Sequence, residues 1–343
     1  MERKTLFYSG NGNHQLGAKI VNALREYRGG DSVFSHIDCD FFPDGDFDTH
    51  IPRFADIEGK PVVFYQSIFE HKFFEEALEL IWAIKKQYKA AYLIAIIPFI
   101  IFRRQDHEEK LEEICRLRMA IDRLRHAGVD EMITVAPHSP KMKQFCDEVG
   151  IKMWEIDPSP LFATTIKTYL QTVPTIYSPD EGSISRAVAL AKLTDSRVIF
   201  SLKNRGLNNE ITIKPEEESE ITRIISYYQE EKQFSEIYYA DAKYINGASI
   251  VMTEDEANTG GTANKTGQRL KNLGAKELLL LAAHGVLSPG WRRKLFENDT
   301  FDKVILGDTI PRDYEKRTGG KIHDIFFAEL IAQTLYKRLQ ALA

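Results

Sequence analysis

Residues Thr253–Thr266 read TEDEANTGGTANKT. The preceding Ala248–Met252, ASIVM, is apolar and β-branched in the manner of a buried strand. Two carboxylates, Glu254 and Asp255, close that expected strand. A turn through Thr259-Gly260-Gly261-Thr262 then opens an amphipathic helix running past Leu270. Glycines let a backbone pass close to a phosphate, and a helix N-terminus offers free N–H groups and a positive dipole end. Glu254 and Asp255 suit the vicinal hydroxyls of a sugar, while Thr259 and Thr262 add hydroxyl donors. A glycine pair alone often makes only a turn; an acidic pair five residues ahead of it is the more specific signal.

Outward from this stretch, short apolar runs alternate with helical patterns, which predicts an α/β chain with mainly parallel sheets flanked by helices. In the first half, strands are expected at Thr5–Tyr8, Pro61–Tyr65, Tyr92–Ile97 and Met132–Val135, with helices from Leu16 and over Glu108–His126. The pattern restarts with strands at Thr175–Tyr177, Ser196–Leu202, Leu278–Ala283 and Val304–Leu306, and a helix at Ser183–Leu193. A last helix is expected at Asp324–Leu339, returning to the first half or closing the second. Two domains follow, residues 1–155 and 156–343. A strongly charged segment at about 214–242 breaks the rhythm, as a solvated helix, a lid or a surface excursion.

The bulk numbers agree. A chain of 343 residues exceeds the size at which one core usually stops growing. A hydrophobic content of 43%, a charged content of 28% and a net charge of -5 predict neither nucleic acid nor an anionic membrane as partner. Cys39, Cys115 and Cys146 lack metal-ligand spacing and read as reduced thiols. The first residues lack the apolar core of a signal peptide, and Ala90–Phe102 is too short to span a bilayer, so a cytoplasmic location is expected.

Parallel sheets bind ligands outside the carboxyl ends of their strands, and three more motifs fall there. Asp180, in SPDEG after Thr175–Tyr177, could hold Mg²⁺ or cap the helix that follows. Lys203 and Arg205 aim two cations off a strand end, as a transferring polyphosphate requires, or form a solvated basic turn. Arg104 and Gln105, after Phe102, could bind phosphate and base, or form an exposed polar turn.

Together these motifs resemble the ribose-phosphate diphosphokinases, the phosphoribosyl pyrophosphate synthetases. The resemblance runs in order through SGNGNHQLGAKIVNAL, FPDGD, RQDH, SPDEGSISRA, KNR, TEDEANTGGT, AAHGVLSPG and GDTIP. It implies two phosphoribosyltransferase-like domains, an N-terminal one binding ATP and a C-terminal one binding ribose phosphate, in a homo-oligomer, dimer or hexamer. The implied reaction moves the β,γ-diphosphoryl group of ATP to the anomeric hydroxyl of ribose 5-phosphate, releasing AMP. By motif, Lys203 and Arg205 are implied to be catalytic, and His138 and Asp180 to ligate Mg²⁺. Phe42, Asp44, Asp46, Arg104, Gln105 and Asp106 are implied to bind ATP, the first three typically from a neighbouring subunit. Glu254 and Asp255 would hold the ribose hydroxyls, and Asn258, Thr259, Gly260, Gly261 and Thr262 the 5-phosphate.

This chain also departs from the family pattern. The family loop usually reads Asp-Asp-x-x-Asp-Thr-(Gly/Ala)-Gly-Thr; here Glu254 and Asn258 replace the first and third acids. Ala136-Pro137-His138 stands where the family favours Asp-Leu-His, and the 214–242 segment is inserted relative to the family. These changes gather at the ribose-phosphate end, so a larger acceptor such as ADP-ribose is the alternative substrate. Further alternatives are a non-catalytic regulatory homologue, and a phosphoribosyltransferase or a regulator that binds phosphoribosyl pyrophosphate and makes no new one.

Overall fold

The computed structural model describes residues 5–28, 32–44, 46–49, 57–107, 112–202, 215–231 and 233–342. The chain divides into two compact units. One comprises Met1–Asp157, Asp308–Pro311 and Phe326–Ala343; the other comprises Pro158–Gly307 and Arg312–Ile325.

The first unit runs β1 (Thr5–Ser9), α1 (His14–Arg28), β2 (Ser32–His36), β3 (Cys39–Phe41), β4 (Phe47–Thr49), β5 (Pro61–Tyr65) and α2 (His71–Trp82). It continues with β6 (Tyr92–Ile96), α3 (Arg116–Ala127), β7 (Glu131–Val135), α4 (Lys141–Val149) and β8 (Lys152–Ile156). Six strands form a parallel sheet in the order β2-β1-β5-β6-β7-β8, and β3 and β4 make a separate antiparallel hairpin. Parallel strands covered on both faces read as unbroken apolar runs. Leu93–Ile97 shows this, with no residue more than 1% exposed.

The second unit begins with α5 (Ser159–Tyr169), β9 (Thr175–Ser178), α6 (Ile184–Thr194), β10 (Arg197–Phe200), α7 (Pro215–Glu230), β11 (Ile237–Tyr239) and α8 (Ala242–Ile245). Then come β12 (Ser249–Ala257), α9 (Gly261–Asn272), β13 (Glu277–Gly285), β14 (Lys303–Gly307), α10 (Tyr314–Thr318) and β15 (Ile322–Ile325). Its seven strands are parallel in the order β11-β10-β9-β12-β13-β14-β15. The α/β class with two parallel sheets is therefore as the sequence indicates.

Three local readings are corrected. The helix expected from Asp324 begins at Ala328 as α11 (Ala328–Ala341), because Ile322–Ile325 completes the second sheet beside β14. Helix α11 then joins the first unit, against α1, so the C-terminal stretch does not belong with residues 156–307. Its Arg338 donates to the buried Glu131 of β7 through Nε and Nη2, both at 2.9 Å. Finally, the charged 214–242 segment contains a helix and a strand, α7 and β11, that extend the second sheet beyond β10. β11 pairs in parallel with β10, and α7 buries Ile221, Ile224 and Tyr228. Charge dominates its composition, but apolar residues three and four apart give the helix a docking stripe.

No helix among the described residues is long and apolar enough to cross a membrane.

Candidate functional site

The second sheet reverses its strand order between β9 and β12. Ligands of open parallel sheets lie at such a point, outside the carboxyl ends of the strands. The loop after β9 carries Asp180, and the loop after β12 carries Asn258–Gly260. Register sharpens this. β12 pairs with β9 only as far as Met252↔Tyr177, then continues beside β13 to Ala257↔Gly285.

Glu254 and Asp255 thus lie inside a strand and do not follow one. Successive strand side chains point to opposite faces, and burial alternates accordingly: Asp255 is buried, while Glu254 and Glu256 are partly exposed. Loss of hydration pushes the Glu254 carboxyl up to about 8, and the negative charges of Asp255, Asp180 and Glu256 add to the effect. Arg186 of α6 opposes it. Its Nε is buried with no hydrogen-bond partner among the described residues. Such a cluster of acids favours ligands that donate hydrogen bonds or carry positive charge.

Asp180 does cap the following helical turn. Its Oδ1 accepts from both Ser183 N and Ser183 Oγ at 3.0 Å. That leaves Oδ2 outside the cap. Helix α7 docks against the same segment, through Tyr228 Oη to Ser185 Oγ (2.8 Å) and Arg223 to Glu181 (3.2 Å).

Beyond β12, Gly260 has φ +72°, a left-handed conformation that favours glycine. Space requires it too, since a Cβ there would lie 2.5 Å from Leu295 Cγ. Helix α9 starts at Gly261, with the Thr259 and Thr262 side chains exposed beside its first turn. The Asn258 Oδ1 is buried and without a hydrogen-bond partner among the described residues. Turning that amide over would present an N–H in its place. The turn therefore matches the free N–H groups and close approach that a phosphate ester needs.

In the first unit, the loop after β6 alternates its side chains. Arg103 is buried, donating to Ala136 O at 3.1 Å; Arg104 and Gln105 are exposed; Asp106 is buried again. Asp106 accepts from Ser139 Oγ and pairs with His107 Nδ1 at 2.5 Å. Burial pulls its carboxyl upward, but the bonds from Ser139 and His107 and the charge of Lys141 outweigh that and hold it below its ordinary value. The Arg104–Gln105 loop is thereby tied to the loop carrying His138. Phe42, 48% exposed, lies beyond β3 in the β3–β4 hairpin, where Asp44 Oδ1 accepts from Asp46 N at 3.2 Å. Lys203 and Arg205 lie outside the described residues; β10 ends just before them.

His138 belongs to the first unit and Asp180 to the second. Among the described residues no three His, Cys, Asp or Glu side chains gather as a metal site. A cavity of about 880 Å³ lies elsewhere in the first unit, beside Leu78, Trp82 and Tyr88, and includes none of these residues. Two basic residues were not among the expected site residues, although Arg186 lies within the SPDEGSISRA motif. Arg186 is one; Lys294, in the helical segment Arg292–Glu297, is the other. Its Nζ lies 3.4 Å from where a Cβ on Gly261 would stand.

Comparison with known proteins bears on the family and the fold. Residues 5–128 match the N-terminal domain of ribose phosphate pyrophosphokinase, and residues 243–341 match the phosphoribosyl synthetase-associated domain. The ribose-phosphate pyrophosphokinase of Ralstonia nicotianae is 26% identical over 332 residues, covering 96% of this chain and 93% of that protein. The Thermotoga maritima enzyme of the same name is 25% identical over 337 residues, covering 96% and 93%. The phosphoribosylpyrophosphate synthetase structure from Mycobacterium smegmatis shares the fold, with a TM-score of 0.77 and 22% identity over 99% of this chain and 100% of that one. Full-length similarity, two matched domains and acidic and glycine loops at the β9/β12 reversal converge on one assignment: the chain belongs to the ribose-phosphate pyrophosphokinase family.

Proposed function

We propose that this protein transfers the β,γ-diphosphoryl group of ATP to the anomeric hydroxyl of ribose 5-phosphate, giving phosphoribosyl pyrophosphate and AMP. The observation that carries the reading is the pairing, at the β9/β12 reversal, of an acidic strand end with a glycine turn at a helix N-terminus. An acceptor holding vicinal hydroxyls and one phosphate ester answers both features.

In this reading the N–H groups at the start of α9 bind the 5-phosphate, and the partly exposed Glu254 accepts hydrogen bonds from the ribose hydroxyls, with the buried Asp255 beside it adding negative charge. Hydroxyl donors lower the Glu254 pKa toward the charged form, so binding the sugar drives off the proton that burial retains. Arg104 and Gln105 reach ATP from their exposed positions, with Asp106 holding their loop. Lys203 and Arg205 balance the charge of the moving diphosphoryl group, which needs positioning and neutralisation more than covalent help. Mg²⁺ would neutralise further phosphate charge, and His138 and Asp180 are each a candidate ligand for it; the uncapped Asp180 Oδ2 and the surplus of acid around Glu254 suit a cation.

The test is a product assay with ATP and Mg²⁺, offering ribose 5-phosphate or ADP-ribose, with Lys203→Ala as the blank. AMP and a pyrophosphorylated pentose formed from ribose 5-phosphate support the reading. Product from ADP-ribose alone replaces it with a changed acceptor. AMP from neither leaves a binding or regulatory role.

A further inference from the structure

The helical segment Arg292–Glu297 is packed over the glycine turn. Leu295, 2% exposed, fills the space above Gly260 that any Cβ would invade. One residue earlier, the Lys294 side chain passes the turn itself. Its Nζ stands 3.4 Å from the Cβ position of Gly261 and 3.9 Å from that of Gly290. Lys294 is half-buried and makes no hydrogen bond or ion pair with any described residue. Several nearby cations are paired, Arg292 with Glu297, Lys271 with Asp302 and Lys321 with Asp299, while the adjacent Arg293 is exposed to solvent.

A half-buried ammonium without a counter-ion among the described residues, beside a helix start whose Gly261 N–H makes only a long 3.4 Å bond to Thr259 Oγ1, forms a cationic cup. The loop supplies no carboxylate of its own to quench it, because residue 258 is an amide. Ordinary packing does not demand the charge, since Leu295 alone supplies the steric wedge.

We propose that Lys294 is a specificity-determining residue for the acceptor, its ammonium pairing with the phosphate ester bound by the Gly260–Gly261 turn. This rests on the function proposed above and names a side chain that selects a phosphorylated sugar over a neutral one. The backbone gives the turn its shape; Lys294 gives it a countercharge for a dianionic monoester.

Calorimetric titration of ribose 5-phosphate into wild type, Lys294→Met and Lys294→Arg tests this, with steady-state kinetics alongside. Methionine keeps the aliphatic packing and removes the charge, and thermal unfolding confirms that the variant is folded. Loss of a charge-assisted contact to phosphate predicts roughly 10–100-fold weaker binding for Lys294→Met. KM for the sugar rises in step, while KM for ATP and kcat hold, and Lys294→Arg recovers most of the affinity. Salt should weaken wild-type binding more steeply than the variant's. Unchanged ribose 5-phosphate affinity in Lys294→Met, with an active wild type, overturns the inference and leaves the function standing. A loss confined to ADP-ribose overturns it as well, because the ammonium then serves another phosphate. A wild type that neither binds nor converts ribose 5-phosphate removes both.

Discussion

Arg338 and Glu131 are 207 positions apart in the chain and joined by two parallel hydrogen bonds of 2.9 Å. Glu131 has no exposed surface, and it also accepts from Tyr92 Oη at 2.8 Å and Trp154 Nε1 at 2.9 Å. The guanidinium lies 4.1 Å from the Trp154 ring centroid. Burial would raise the Glu131 pKa, yet the three donors and the Arg338 charge hold it below its ordinary value.

Breaking that pair strands a buried carboxylate. Arg338→Ala is expected to destabilise the protein by about 3–5 kcal/mol, measured by urea unfolding at neutral pH. A carboxylate with a depressed folded pKa contributes stability above its unfolded pKa and loses it as pH falls through the folded one. The deficit of the variant should therefore shrink in acid, below about pH 4. A constant deficit from pH 7 to pH 3 would assign the loss to packing on Trp154.

Glu254 runs the other way. Its folded pKa, about 8, lies above the ordinary carboxyl value, so stability falls as pH rises from about 4.5 through 8. Glu254→Gln should raise the unfolding temperature of the ligand-free protein at pH 8 and have little effect at pH 4. The stabilisation at neutral pH is of the order of a few kcal/mol at most. The same variant should bind ribose 5-phosphate less well, and equal melting temperatures across that range would contradict the charge crowding.

The Gly260–Leu295 contact sets a further expectation. Gly260→Ala meets both a 2.5 Å clash with Leu295 Cγ and a left-handed backbone. A loss of about 1–3 kcal/mol is expected, with impaired acceptor binding. Adding Leu295→Ala should recover only the steric part, because φ stays positive. Full recovery of stability in the double variant would refute the backbone contribution.

Helix α7 is predicted to be structural. Ile224→Ala should destabilise the fold by about 2–4 kcal/mol, since Ile224 is 3% exposed. A lid hinged in solvent would instead show altered turnover and an unchanged unfolding curve.

Much of the fold was legible because buried parallel strands are written as apolar runs, as in Leu278–Ala283 and Pro61–Tyr65. β15 escaped because Ile322-His323-Asp324-Ile325 puts two polar residues in a four-residue edge strand. Helix α7 could be recognised as helical, but its docking depends on Ile221, Ile224 and Tyr228 meeting a face that composition does not reveal. At the site, Glu254, Asp255 and the glycine turn announced themselves by type and spacing. Their division between two faces did not, since it follows from how far β12 outruns β9. Lys294 gives no local sign, because its nearness to Gly261 is created by the connection after β13 folding back.

The return of α11 has a consequence for how the protein is made. The first sheet is synthesised early, yet the guanidinium that neutralises its buried Glu131 comes from the last helix of the chain. During translation that acid has no counter-charge until the second unit has left the ribosome. The first unit is consequently a late-maturing one, its final packing step waiting on synthesis of α11.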